Sequence, residues 1–188
     1  MPRIFIDMDG TAAKWNDEIS SEEELLEPGY FRNRLPEDNI IEAARILTEQ
    51  GNDVYILSCC LNDTYIVRDK DRWCDEHVPF IPPDHRILVP YSKDKAQYIE
   101  GGIGREDLLI DDHTPNLKEW EKNGGTAIKF LNGINWKHRT WTGPVLHADT
   151  PPFMMSREVS GYMKNGKTIG NQERQRQPDG RRSPSRER

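Results

Sequence analysis

Asp7 and Asp9 stand at the end of the apolar run "RIFI" and just before Gly10 and Thr11, two carboxylates one residue apart at the mouth of what reads as a buried strand. Each repels the other and neither is easily desolvated, so a chain that keeps them there needs a cation among them or a reaction for them. Asp111 and Asp112 repeat the pattern after "DLLI", and Ser58 closes "DVYILS". In an open parallel sheet, ligands bind beyond the carboxyl ends of the strands, which would gather these five residues at one rim. One or two carboxylates with a backbone carbonyl and waters suit a hard divalent ion, magnesium first among them. Lys93 and Lys95, in "YSKDKAQYI", are expected to open a helix after "RILVPY" and to reach the same rim. A divalent ion, a lysine and a hydroxyl around an aspartate make a device for phosphoryl groups, because cations hold the anionic oxygens and neutralise charge that develops in transfer. Asp7 would then accept the phosphoryl group, while Asp9 protonates the leaving alcohol and later deprotonates water. Gly10 lets the chain turn closely around the bound group, and Thr11 adds a hydroxyl or a cap.

Short runs rich in Ile, Val and Leu must position these groups: "RIFI", "DVYILS", "RILV", "DLLI" and "TAIKF". Runs apolar on both faces are strands buried between two helical layers. Between the first two lies "NIIEAARILTEQG", with Ile40, Ile41, Ala44, Ile46 and Leu47 largely on one helical face, Asn39 as N-cap and Gly51 as the stop. In "TPNLKEWEKNGG", Thr114 reads as N-cap, Pro115 as the first helical residue and Gly124 as the residue past the end. Strand–helix alternation predicts right-handed crossovers and a parallel sheet covered on both sides. Residues 12–35, acidic around "SSEEELLEPGYF", fit neither pattern and read as a short excursion above the sheet.

The 188 residues allow one domain of ordinary size, expected over 1–149, with 150–188 as a flexible basic tail. From Arg157 to Arg188 nine Lys/Arg face four Asp/Glu, so the remainder is more acidic than the overall −6. An acidic body argues against a nucleic-acid-binding face on it, whereas the tail's arginines would attract polyanions in a salt-sensitive way. Three cysteines, Cys59, Cys60 and Cys74, form an odd set with two adjacent members, which favours a reducing compartment. With no charged-then-apolar leader and no run long enough for a membrane helix, a soluble cytoplasmic protein is expected.

"DMDGT", "ILSC", "KDK" and "LLIDD", in that order, resemble the four motifs of the haloacid dehalogenase superfamily of phosphatases. The likeness is closer to the 5′(3′)-deoxyribonucleotidases, cytosolic type C 5′-nucleotidases, which share the "DMDG" opening, a "PGYF"-like stretch and a "DK" ahead of "DLLIDD". The resemblance covers residues 3–130 and implies a three-layer, Rossmann-like α/β fold, with a parallel sheet between helices. Residues 12–35 would be its cap, much shorter than the helical cap of those nucleotidases. It implies a magnesium-dependent phosphomonoesterase working through an aspartyl-phosphate on (deoxy)nucleoside monophosphates. By the same resemblance Asp7 is nucleophile and metal ligand, and Asp9 is the general acid/base that also lends its backbone carbonyl to the metal. Ser58 and Lys95 bind phosphate, with Gly10 and Thr11 beside them, and Asp112 is the expected metal ligand with Asp111 close behind.

Simpler readings stand beside these. A lone D-x-D-G is a turn as readily as a site, and the four ordered motifs are what lift it above that. Lys93 reads more naturally as a solvated charge, Cys59 and Cys60 as packing, His113 as an exposed loop residue beside the acidic pair, and Trp73 and Trp120 as core. Trp15, Tyr30 and Phe31 either close over a ligand or anchor the short cap. Competing functions are a phosphatase for another small metabolite or a polynucleotide end, and a non-catalytic phosphate-binding scaffold. Oligomeric state is not legible.

Overall fold

The computed structural model describes residues 2–61, 64–91, 94–135 and 140–165; Lys93 lies outside them. Strands β1 (Arg3–Ile6), β2 (Asp53–Cys60), β3 (Arg86–Pro90), β4 (Leu108–Asp111), β5 (Thr126–Leu131) and β6 (Val145–His147) form one parallel sheet in the order β3-β2-β1-β4-β5-β6. The five apolar runs are all strands, and their side chains alternate between two layers because the strand period is two. Ile4, Ile6, Val54, Ile56, Leu108 and Ile110 face one core, whereas Phe5, Leu57, Val89, Leu109 and Ala127 face the other. The first core is closed by α2 (Asp38–Glu49), α3 (Thr64–His77) and α5 (Pro152–Asn165); the second by α4 (Thr114–Lys122) and a 3₁₀ turn at Lys95–Tyr98. Trp73 and Trp120 are fully buried core residues, one in each layer.

Register places the candidate residues. Ile6 pairs with Ile56 on one side and Ile110 on the other, so Asp7 and Asp111 emerge next to each other where the strand order reverses. Residues 12–35 leave and return at one point, through Lys14 N–H to the Leu35 carbonyl (2.8 Å) and Glu37 N–H to the Ala12 carbonyl (2.8 Å). Within them α1 (Glu22–Leu25) is one helical turn, and Leu25, Tyr30 and Phe31 pack on Cys60, Leu61, Ile66 and Leu88. At the opposite end of the sheet Arg3 clamps the approach to β4. It donates to Asp107 Oδ1 (2.9 Å) and Oδ2 (2.8 Å), to the Glu100 carbonyl (3.1 Å) and to the Gly102 carbonyl (2.6 Å).

Several local expectations are corrected. Glu37, not Asn39, occupies the cap position of α2, and the Asn39 amide instead donates to the Ala148 carbonyl at 2.8 Å. His113 precedes α4, making Thr114 its first residue. The helix expected after "RILVPY" is only the 3₁₀ turn, capped by Asp94, whose carboxylate accepts from the Ala96 N–H at 3.0 Å. The tail expected over 150–188 begins with an ordered element. Met155, Val159 and Tyr162, at helical spacing, put α5 against α2 in the first core. Three apolar residues on one face suffice for docking although the stretch as a whole is polar; residues 166–188 lie outside those described.

Met155 is fully buried. Met155→Ala is expected to cost about 2–5 kcal/mol of stability in urea unfolding; a cost near zero would mean α5 is not seated on α2.

Candidate functional site

Beyond the carboxyl ends of the strands a cavity of about 980 Å³ is lined by the charged groups Asp7, Asp9, Lys70, Lys95 and Asp112 and by the apolar side chains Trp15, Leu25, Phe31, Leu61 and Tyr91. Asp17, Asp94, His113, Asn116 and Glu119 also border it. Of the carboxylates, Asp7, Asp111 and Asp112 each bring an oxygen within 4.8 Å of the others.

Asp7 follows β1 directly, its N–H continuing the ladder to the Ile110 carbonyl at 2.9 Å. The chain then turns sharply, with Ala12 N–H bonding the Asp7 carbonyl and Ala13 N–H the Met8 carbonyl. Gly10 allows this at φ +83°, and a Cβ there would stand 2.5 Å from Asp112 Oδ2. Both the backbone sign and the close approach therefore require glycine. Thr11 is fully buried and its hydroxyl has no hydrogen-bond partner among the described residues.

The buried Lys95 ammonium bridges the centre, donating to Asp7 Oδ1 at 2.6 Å and Asp111 Oδ2 at 2.7 Å. Both Asp111 oxygens are engaged, since Oδ1 accepts the His113 N–H at 2.7 Å and Oδ2 also accepts the Asn116 amide at 2.9 Å. Asp112 is less committed: Oδ2 accepts from the Asn132 amide at 3.2 Å, and that amide also reaches the Gly10 carbonyl at 2.8 Å. Asp9 turns the other way, toward Ser58 Oγ (3.3 Å) and the Lys70 ammonium. Behind the acidic pair, Lys129 donates to the Asp112 carbonyl (2.6 Å) and to Thr114 Oγ1 (2.9 Å).

Burial dominates the electrostatics. It raises the Asp7 pKa well above the ordinary value; Lys95 opposes the rise, and Asp111, Asp9 and Asp112 add to it. It lifts Asp112 to about 7, again aided by Asp111. Burial works against the Lys95 and Lys70 ammoniums, yet Asp111 and Asp7 raise the first and Asp9 the second. Burial lowers Lys129 and His113. Three clustered carboxylates, two of them pushed toward protonation, are a donor set that a hard divalent cation would complete. The cysteines are packing residues: Cys60 and Cys74 are buried thiols raised by burial to about 11 and about 12, and Cys59, also raised, sits at the cavity wall.

The structure thus brings together Asp7, Asp9, Gly10, Ser58, Lys95, Asp111 and Asp112. Tyr30 and Phe31 form a small core with α3 and β2, and Phe31 and Trp15 face the cavity. Lys70, Lys129 and Asn132 were not singled out from sequence. Lys70 was recoverable, because it falls on the stripe Ile66, Lys70, Trp73, Cys74 that the helical period sends inward.

A family model described as 5′ nucleotidase, deoxy (pyrimidine), cytosolic type C protein (NT5C) matches residues 14–142, a span that opens just past the Asp7–Thr11 turn. The chain belongs to this family. A Staphylococcus epidermidis (strain ATCC 12228 / FDA PCI 1200) protein named "Putative 5′(3′)-deoxyribonucleotidase" is 30% identical over 116 residues, 61% of this chain and 58% of that one. The 5′(3′)-deoxyribonucleotidase of Bacillus subtilis (strain 168) is 24% identical over 123 residues, 60% of this chain and 64% of its own. This cytosolic type C family member therefore spans less than two thirds of the length of those relatives. Its fold is shared with a solved structure. The crystal structure of D,D-heptose 1.7-bisphosphate phosphatase from B. bronchiseptica, complexed with magnesium and phosphate, superposes with a TM-score of 0.61 at 11% identity, covering 86% of this chain and 99% of that one.

Because Asp7 and Asp112 have raised values, the folded state binds protons that the unfolded chain has already lost above about pH 4. In chelator, the Asp112 contribution to stability is full below that pH and is lost as pH rises through about 7. Thermal unfolding of metal-free Asp112→Asn is expected to gain on the unaltered chain progressively over this window; parallel profiles would refute the assignment. Gly10→Ala is expected to displace Asp112 and to weaken divalent-cation binding at least about tenfold by calorimetry.

Proposed function

We propose that the chain is a magnesium-dependent phosphomonoesterase that forms an aspartyl-phosphate on Asp7 and acts on (deoxy)nucleoside monophosphates. The observation that carries this reading is the Asp7 carboxylate of the cavity lining, held by Lys95 through Oδ1 beside Asp111 and Asp112. Family membership supports the substrate class.

One carboxylate oxygen of Asp7 attacks phosphorus, and the bond from phosphorus to the substrate's alcohol oxygen breaks with its electron pair leaving on that oxygen. Asp9 supplies the proton the alcohol needs. Asp9 then takes a proton from water as the water oxygen bonds to phosphorus, and the Asp7–phosphorus bond breaks to restore the carboxylate and release phosphate. Lys95 holds a phosphoryl oxygen in place throughout, and Ser58, whose proton goes to Asp9 at 3.3 Å, turns it to a phosphoryl oxygen when the substrate is bound. Asp7 and Asp112 side chains and the Asp9 carbonyl would hold magnesium, which supplies charge neutralisation at the phosphoryl oxygens; Asp111, with both oxygens hydrogen-bonded, serves to fix Lys95 and the α4 entry.

Trp15, Phe31 and Tyr91 offer flat apolar surface to a base. A polynucleotide end is the less favoured substrate, because Asp17, Asp94 and Glu119 border the cavity and repel further phosphates. The free thiols fit a reducing, cytoplasmic setting.

Deoxynucleoside monophosphates are expected to be turned over with magnesium and not in chelator, faster than sugar phosphates or end-phosphorylated oligonucleotides. Asp7→Asn should abolish turnover, and Asp9→Asn should lower kcat about 10²–10⁴-fold with substrate still bound. Phosphate release assays check each; no turnover under any metal would favour a phosphate-binding scaffold, and a normal rate in Asp7→Asn would overturn the mechanism.

A further inference from the structure

The reaction above gives Lys70 nothing to do, yet the side chain is fully buried on α3 beneath the cavity. An ammonium has three N–H bonds, and here three acceptors surround it: Asp9 Oδ2, Ser58 Oγ at 3.0 Å and the Cys59 carbonyl at 2.6 Å. The Phe31 ring covers it, with the nitrogen 4.5 Å from the ring centroid. With its donors taken, it is set up to hold protein groups and not a phosphoryl oxygen. We propose that Lys70 is the positioning residue for Asp9, fixing the carboxylate against Ser58 so that its proton meets the departing alcohol oxygen.

The same turn of α3 is tied to the segment covering the cavity. Asp69 accepts the Gly29 N–H at 2.6 Å, and Phe31, two residues on, lies over Lys70. Seating of residues 29–31 and orientation of Asp9 therefore share one support. The inference rests on the phosphomonoesterase reading and deepens it by assigning what makes the acid effective.

The test compares two esters on the magnesium-loaded full chain. A deoxynucleoside 5′-monophosphate releases an alcohol that must be protonated, whereas p-nitrophenyl phosphate releases a phenolate that need not be. The quantity read is kcat/KM, which reports events up to departure of the alcohol. Lys70→Met is expected to lower it about 100-fold for the nucleotide and less than about fivefold for the aryl ester. The inhibition constant of inorganic phosphate should stay within about threefold, and Lys70→Arg should recover part of the nucleotide rate. Equal losses on both esters, no loss on either, or a large rise in the phosphate inhibition constant would overturn the proposal and make Lys70 a structural or phosphate-holding group. Lys70→Gln, which keeps an N–H donor but not the charge, should show the same asymmetry at smaller size, so it decides the matter if Lys70→Met does not fold; a symmetric loss there also overturns it. If the unaltered chain hydrolyses neither ester, the phosphomonoesterase reading itself fails and takes this proposal with it.

Discussion

One ammonium between two carboxylates holds the site together. Lys95 reaches Asp7 after β1 and Asp111 at the end of β4, and all three groups are nearly or completely removed from water. Removing Lys95 would leave two buried carboxylates facing each other without their ammonium, whereas removing either carboxylate leaves Lys95 the other. The interaction also dictates the surrounding architecture. It needs two strand ends side by side, which the reversal of strand order between β1 and β4 provides, and a short turn that delivers lysine at their level.

Around that centre the acidic groups are sorted by what else they bond. Asp111 is saturated by Lys95, His113 and Asn116 and acts as scaffold. Asp9 is drawn toward Lys70 and Ser58, away from the other three carboxylates. Asp7 and Asp112 keep the most unspent capacity and carry the raised pKa values that follow from burial. Three ammoniums, Lys70, Lys95 and Lys129, face four carboxylates, and each contacts a different member or its backbone. The partition separates a group suited to attack from one suited to proton transfer within a few residues of sequence.

Much of this was legible because the relevant signals are short-range. Apolar runs of four to six residues marked five strands, and the aspartates that follow two of them and the serine that closes another could only emerge at the same rim. What escaped notice was long-range or diluted. β6 has three residues and a single fully buried side chain, Leu146, too little for a pattern. α5 was hidden by averaging over a polar stretch, although Met155, Val159 and Tyr162 carry the helical period. Asn39 is a good cap by type, but the Ala148 carbonyl, supplied from more than a hundred residues away, claims its amide. Lys129 and Asn132 lie in and just after a strand that reads as plain core, and only the fold shows them bracing Asp112 and Gly10. Lys70 breaks the rule that lysine lies outside, and its place on the inward stripe of α3 is the one local signal of its burial.

The clamp at Arg3 has its own bearing on the centre. Arg3 grips Glu100, Gly102 and Asp107, midway along the only stretch of chain that joins Lys95 to Asp111. The spacing of those two partners is thereby referenced to the far end of the sheet, away from the cavity lining. Loosening the grip there would slacken the connecting stretch, so a change on this remote face bears on the seat of the ammonium without touching any group that lines the cavity.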